Sequence, residues 1–505
     1  MQEPEAVNLV RMTQHALDDL NEFSAHHLRL RLAKSLSPIR QKNASTPEYE
    51  DITQAEAFKV QRQGDGQDEP ALTVRLQAQT GALSARAELQ SHSTVFDVFY
   101  APGQVPSVSS SSSTLATFIA TKLQGLFAEE QAIIAYVLSQ SSTDAHHSVG
   151  QASQPSQSTS SASRELRSRA KRSINPELAA RLASRMTRSL KYAPTYHITI
   201  SLFTPSASPS SWEIEAAIAD YLKPLLDSIS AISNFTVDTQ VQLFATLSPS
   251  VHSPEYDTDE GVWTLQEEDL SGFINAAEWP LSPSIGAGPT LNFVLYVPDR
   301  ATTPLVIKGS QASSWLIPQW GGVVVLNLQG VNTAAGVSTL SKEAIQPALL
   351  TFSHQLLSFL GVPQTPPSLP LQLQTLTRIR AASLLLSASS TMGSLAQLTV
   401  ALPSIAIPET VSSAVDTTLS HLRYTCNALK EGKFKEALQS ARTAEAEAER
   451  GFFEKSMVGQ VYFPDEHKVA VYLPLLGPIG VPLVMSALKE LRRLWTSQKA
   501  RASVP

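Results

Sequence analysis

The sequence predicts an α/β body, a mixed sheet flanked by helices, followed by a helical region and a single C-terminal transmembrane helix. Three observations carry this. Between residues 71 and 370, strand-like runs alternate with helix-like runs, the order that builds helix layers on a sheet. From Leu371 onward the pattern turns to helix alone. Residues 469–488 (VAVYLPLLGPIGVPLVMSAL) carry no formally charged side chain and are bounded by Lys468 and Lys489.

Within the body, residues 71–80 (ALTVRLQAQT) and 94–100 (TVFDVFY) alternate and are rich in β-branched or aromatic side chains, so they read as strands. A serine run at 109–113 leads into a helix over 115–138, with Leu115, Ile119, Leu123, Leu126 and Ile133 near one face. Residues 141–163 are rich in Ser, Gln and Thr and read as a disordered insert. The strand at 196–203 (YHITISLF) sets Tyr196, Ile198, Ile200 and Leu202 against His197, Thr199 and Ser201. A helix over 212–229, bent at Pro224, and two strand-like stretches within 235–247 follow. Residues 291–297 and 322–328 barely alternate, as central strands covered on both faces do. A short helix at 349–360 is closed by Gly361 and Pro363.

The helical region, 371–468, contains a stripe at Val411, Val415, Leu419, Leu422, Cys426 and Leu429, expected to be its buried face. A polar, Ala-rich helix over 434–449 continues toward the apolar stretch. Twenty helical residues cover about 30 Å, the hydrocarbon thickness of a bilayer. Pro474, Pro478 and Pro482 are tolerable there because neighbouring helices or local adjustments satisfy the freed carbonyls. Lys489, Arg492, Arg493, Lys499 and Arg501 follow the stretch, whereas Lys455 and Lys468 alone precede it closely. The basic tail, 489–505, is therefore expected in the cytosol and the body in the lumen. Tyr472 and Trp495 stand near the two ends as interfacial aromatics.

Residues 1–70 form an atypical N-terminal region and linker. The first thirty lack the apolar core of a signal peptide and read as an amphipathic helix ending near Leu36, and 43–70 are polar and aperiodic.

The chemistry-bearing residues form no recognisable catalytic, cofactor or metal site. The net charge of −6 gives no support to a nucleic-acid partner. One cysteine, Cys426, excludes an intrachain disulfide and any Cys-based metal cluster. His421 lies five positions before it, off the same helical face, so Cys426 reads as a buried structural thiol. The pairs His26–His27 and His146–His147 fall in polar, exposed segments without metal-ligand spacing. The acidic group Asp257, Asp259, Glu260, Glu267, Glu268 and Asp269 lacks calcium-loop spacing. Gly321–Gly322 reads as a tight turn into a strand, and the basic run Arg164, Arg167, Arg169, Lys171 and Arg172 as a solvated linker. Two sequons, at Asn43 and Asn234, are candidate N-glycosylation acceptors; Asn234 lies where a helix gives way to a strand.

Several segments together resemble the PIG-S family, the S subunit of the glycosylphosphatidylinositol (GPI) transamidase complex. They are VYFPDEHKVAVYLPLLGPIGVPLV at 461–484, YHITISLF at 196–203, LNFVLYVP at 291–298, LIPQWGGVVVLN at 316–327 and MGSLAQL at 392–398. The resemblance covers roughly residue 71 to the C-terminus. It implies a lumenal α/β body in the endoplasmic reticulum between two spanning helices, acting as a non-catalytic structural subunit without a cofactor. The implied partners are the membrane and the other transamidase subunits, including the cysteine-protease-like catalytic one, with proprotein or GPI lipid as further candidates. That complex cleaves a C-terminal signal and joins the new carboxyl group to the ethanolamine of a GPI anchor. The family's N-terminal span has no counterpart in residues 1–70, where Arg29, Arg31, Lys34 and Arg40 interrupt every apolar run. Two other functions are open to such a chain, a glycolipid- or proprotein-binding module and an α/β hydrolase with polar side chains converging near Val297 or Leu328.

Overall fold

A computed structural model of the chain describes residues 2–33, 70–79, 84–140, 176–273, 288–328, 339–457 and 465–501, apart from positions 24, 111, 246 and 404. Asn43, most of the expected linker, the 141–163 insert, His146–His147 and the basic run at 164–172 lie outside the described residues.

The first unit begins with helix α1 (Glu3–Leu20), whose Glu5 carboxylate accepts the Gln2 backbone N–H at 2.8 Å. It ends at Leu20 rather than near Leu36. Asn21 turns the chain there, accepting the Phe23 N–H at 3.0 Å and donating to the His26 carbonyl at 2.8 Å. Strands β1 (Thr73–Ala78), β2 (Arg86–Leu89) and β3 (Val95–Tyr100) form a sheet in the order β1-β3-β2, with β1 parallel and β2 antiparallel to β3. Phe96, Val98 and Tyr100 of β3 pack against Leu9 and Met12 of α1 and against Leu115, Ile119 and Leu123 of helix α2 (Thr114–Gln140). Strand alternation sends Asp97 to the other face. There it accepts from Arg75 Nε at 2.5 Å, Arg75 guanidinium nitrogen at 2.9 Å and Gln90 at 2.8 Å.

Helix α3 (Pro176–Arg188) leads into the central unit, which opens with β4 (Thr195–Thr204) and β5 (Ser211–Trp212). The helix expected over 212–229 is split into α4 (Ile214–Ala217) and α5 (Lys223–Ile229) by a π-helical turn at Ile218–Leu222. The interruption falls directly before Pro224. Pro224 has no N–H to give the preceding turn, and a wide turn makes room for its ring. Strands β6 (Asn234–Leu243), β7 (Glu255–Asp257), β8 (Val262–Leu265), β9 (Thr290–Tyr296), β10 (Leu305–Ile307), β11 (Ser314–Ile317), β12 (Gly321–Val325) and β13 (Thr339–Leu340) follow, then helix α6 (Lys342–Phe359). The 235–247 region contains one described strand, not two.

The main sheet runs β11-β12-β9-β4-β6, parallel except for the antiparallel edge strand β11. Parallel strands are stable when both faces are covered, which explains the near-continuous apolar runs of β9 and β12. On one face Ile198, Ile200, Leu202 and Phe293 meet Leu222, Ile229, Phe352 and Leu356 from the helices. The other face differs from the expectation of helices on both sides. Phe203, Val294, Tyr296 and Val323 are covered by Leu265, Leu305 and Ile307 of a second sheet, β10-β8-β7, together with Phe273. Phe273 is fully buried and stands edge-on to Tyr296 and Trp315, at 5.0 and 5.1 Å between ring centroids.

Gly321–Gly322 does not make the turn it was expected to make. Gln319, with φ 61°, occupies the left-handed position between β11 and β12. The glycines allow close approach instead: a Cβ at 321 would lie 1.8 Å from the Asn292 carbonyl oxygen, and one at 322 would lie 2.0 Å from Gln355 Oε1.

The helical region consists of α7 (Leu369–Ala401), α8 (Glu409–Glu431) and α9 (Phe434–Phe452), and α10 (Asp465–Arg501) follows. Gly432, at φ 85°, ends α8, and the Lys433 N–H reaches the Ala428 carbonyl at 2.9 Å. The buried face of α8 is Val411, Ala414, Thr418, Thr425 and Ala428, so the expected stripe is rotated. Leu419 is exposed, and so is Cys426, which corrects the reading of a buried thiol. Packing on α9 is the cause. Its Ala437, Ala441, Ala444 and Ala448 are all buried, and small residues on both helices let the axes approach while larger side chains flank the seam.

Candidate functional site

Two adjacent carboxylates on α2 make the most developed polar site among the described residues. Glu130 accepts from Arg378 Nε at 2.8 Å and from a terminal guanidinium nitrogen at 2.7 Å, with both side chains buried. His26 Nε2 stands 3.5 Å from the same carboxylate, and Thr375 accepts from Arg378 at 2.9 Å. The guanidinium also lies over the rings of Phe127 and Phe434, at 5.5 and 5.1 Å. Burial pushes the Glu130 carboxyl up; the charge and hydrogen bonds of Arg378, with those of His26, outweigh it and hold the group at about 2. His26 is therefore part of the interior rather than one of an exposed pair. Beside it a cavity of about 20 Å³, lined in part by Leu17, His26, Leu28 and Phe127, has room for about one water molecule.

Glu129 faces a different way, since successive helical side chains diverge by about 100°. It binds Arg185 of α3, the Thr365 N–H at 2.7 Å and the Gln364 N–H at 3.2 Å. Burial raises its pKa, and the Thr365 and Arg185 contacts outweigh that, so the net shift is downward. Together the two carboxylates clip the N-terminal unit to α3 and α7.

The other candidate residues are not brought together. His421 Nδ1 is engaged by Ser440 at 2.9 Å, away from a base role toward Cys426. Asp269 pairs with His252 at 2.9 Å, and Asp257 accepts the Asp259 N–H at 3.0 Å, as a loop-stabilising carboxylate does. Near the strand ends that a hydrolase would use, Asn327 is bonded to both backbone groups of Leu305, at 2.8 and 2.9 Å. Among the described residues no cluster of three His, Cys, Asp or Glu side chains is placed to hold a metal ion.

Asn234 is exposed at the first position of β6, an edge strand. Within its sequon Phe235 turns inward and stacks on Tyr196 at 5.7 Å, while Thr236 bonds His197 on the outer side.

Helix α10 runs unbroken for 37 residues with all three prolines inside it, about 55 Å in length. The tail expected beyond residue 488 continues the same helix to Arg501. Tyr472, Leu476, Ile479, Leu483, Val484, Met485 and Leu488 are exposed, and so are Leu491, Leu494 and Trp495 further on. Such a run of exposed apolar side chains in water is unfavourable and in hydrocarbon is not. Among the described residues, the helix that meets the length and composition criteria for a span is α7, with 17% of its apolar window buried. It packs instead through Leu376, Ala381, Leu384 and Ala388, and carries the buried Arg378.

The comparisons with known proteins agree with one another. A family model described as "Phosphatidylinositol-glycan biosynthesis class S protein" matches residues 1–497, and so includes α1. The chain is 31% identical over 333 residues to the "GPI-anchor transamidase component PIGS" of Homo sapiens, an alignment covering 61% of this chain and 60% of that protein. It is 31% identical over 331 residues to the "GPI transamidase component PIG-S homolog" of Schizosaccharomyces pombe, covering 63% and 58%. With the "GPI transamidase component GPI17" of Saccharomyces cerevisiae the identity is 28% over 313 residues, covering 58% and 57%. The matched region thus spans about 60% of the length of these relatives.

The buried ion pair has a measurable signature. Arg378→Met, which strands Glu130, is expected to cost about 3–5 kcal/mol of stability, and Glu130→Leu combined with Arg378→Met to recover most of it. Because the Glu130 carboxyl is held below its ordinary 4.5, its contribution is full above that pH and is lost as pH falls toward about 2. Unfolding midpoints of both variants and wild type between those pH values check this; the double variant lacks the acid-labile component.

Proposed function

The chain belongs to the phosphatidylinositol-glycan biosynthesis class S family, and on that premise we propose that it is a non-catalytic, structural subunit of a GPI transamidase complex in the endoplasmic reticulum membrane. The observation that carries the reading is the family match running through the whole body and into α10. The site chemistry is in keeping with it. Transamidation through a thioester needs a thiolate with a nearby base and an acceptor amine. Cys426 lies on the exposed side of α8, and the nearest histidine in sequence, His421, is held by Ser440. Catalysis is accordingly assigned to a cysteine-protease-like partner subunit.

In this reading residues 469–488 cross the membrane, with the body lumenal and the basic end of α10 cytosolic. Lys489, Arg492 and Arg493 favour that orientation. A span with three prolines inside its helix is best accommodated against the helices of partner subunits, which supply packing and donors to the freed carbonyls. The central α/β unit and the α7–α9 bundle then hold partners near the catalytic subunit, with proprotein or GPI lipid as further contacts. Asn234 is the preferred N-glycan acceptor because it is exposed on an outward-facing edge position, and Asn43 is the second candidate.

Two outcomes are expected. Extracted in mild detergent, the tagged chain co-purifies with the other transamidase subunits; recovery as a monomer free of them sinks the proposal. In intact microsomes the body resists added protease, and peptide-N-glycosidase shifts a species that Asn234→Gln removes. A protease-accessible, unglycosylated body would reverse the topology.

A further inference from the structure

The far end of the α7–α9 bundle differs from the rest of its surface. The tight turn at Gly432 makes α8 and α9 antiparallel, so the C-terminal ends of α7 and α9 and the start of α8 gather at one end. A buried cluster of Leu395, Val411 and Met457, with Ile405 and Phe452 against it, ties them together there. Projecting from this tip are Val400, 82% exposed, Ile407, 53%, and Phe453, 64%. Phe453 stands edge-on to Phe452 at 5.0 Å, which braces it pointing outward.

Charge is absent from the α7 side of this tip, whereas Glu409, Glu449, Arg450, Glu454 and Lys455 stand on its α8 and α9 sides. Residues 381–408, the distal part of α7 and the loop into α8, contain no Asp, Glu, Lys or Arg. The opposite end, around the Gly432 turn, carries Lys430, Glu431, Lys433, Lys435 and Glu436. The composition that lets α7 pass as a span is thus concentrated toward the tip.

The tip is also leashed to α10. Met457, 1% exposed, is fixed in the tip cluster, and eight peptide links separate it from Asp465. Fully extended they reach at most about 29 Å, and the first turn of α10 adds about 6 Å before the apolar stretch begins at Val469. The tip therefore stays within about 35 Å of the membrane surface whenever α10 is inserted.

We propose that this tip dips into the headgroup region of the lipid bilayer that holds α10, with Val400, Ile407 and Phe453 as the inserted side chains. The inference rests on α10 being the membrane anchor. The apolar side chains of the tip gain by leaving water, as interfacial apolar groups do, while the flanking Glu409, Arg450, Glu454 and Lys455 stay at headgroup level. The seating gives the body a further point of attachment and fixes its tilt relative to α10.

The test uses the full chain in phosphatidylcholine nanodiscs on a Cys426→Ala background. Single cysteines replace Val400, Ile407 or Phe453 at the tip, Met485 in the span, or Lys430 at the opposite end, each carrying an environment-sensitive fluorophore. Headgroup- and acyl-chain-linked nitroxides report lipid contact, and aqueous iodide reports exposure to water. Tip labels are expected to lose about half their emission or more to the lipid nitroxides, whereas the Lys430 label responds to iodide alone. Tip labels that behave like the Lys430 label, or that neither quencher reaches, overturn the inference while the Met485 label still shows the anchor inserted. A Met485 label untouched by lipid nitroxide overturns the anchor reading and this inference with it.

Discussion

The buried pair of Glu130 and Arg378 is the contact on which the arrangement of the units depends. Its partners are 248 positions apart in sequence, one on α2 and one on α7. A buried carboxylate without its guanidinium is costly, so the pair demands that the two helices meet in one register. Glu129, one residue earlier, adds Arg185 and the 364–365 backbone to the same junction. Ser368 reaches the Ser93 carbonyl at 3.0 Å nearby, another link between the N-terminal sheet and the start of α7. The N-terminal unit is thus part of one scaffold with the helical bundle, held by polar contacts whose geometry is more specific than apolar burial alone.

From that junction the other layers follow. The central sheet needs cover on both faces, and it finds helices on one and a small sheet on the other. The α7–α9 bundle extends the helix side, since Ala428, Ala437 and Leu438 join the same apolar core as Phe352 and Phe359. Arg442 of α9 donates to the Ala231 carbonyl at 2.9 Å, at the turn between α5 and β6. Sheet, bundle and N-terminal unit form a continuous support, and among the described residues α10 is the element with the longest run of exposed apolar side chains.

Much of this was legible from periodicity. The strands β9 and β12 announce themselves as barely alternating apolar runs and β4 by its alternation, α2 and α8 by their spacing and α9 by its Ala-rich composition. The short strands β2, β8 and β10 were not, because three or four residues hold too few periods to register and pairing partners decide their conformation. The face of α8 was misjudged for a different reason. Hydrophobicity singles out Leu419, Leu422 and Cys426, but the approach of α9 rewards small side chains, and Ala414, Thr418 and Ala428 are small rather than strongly apolar. His26 was placed on the surface because its sequence neighbours are polar; nothing local reveals a carboxylate more than a hundred residues away. A Glu-Glu pair on an otherwise apolar helix was the one available signal that α2 meets something charged.

The candidate site yields a division of labour rather than a reaction. In the proposed function the chain supplies rigid surface, a membrane anchor and an exposed edge at Asn234, while among the described residues its lone thiol is not paired with His421, which Ser440 engages. The most direct measurement of that claim is surface display of a GPI-anchored reporter in cells depleted of this protein and supplied with Cys426→Ala in its place. The account predicts display restored to the level given by the unmodified chain. Loss of display, with the variant still present and still bound to the complex, would contradict it.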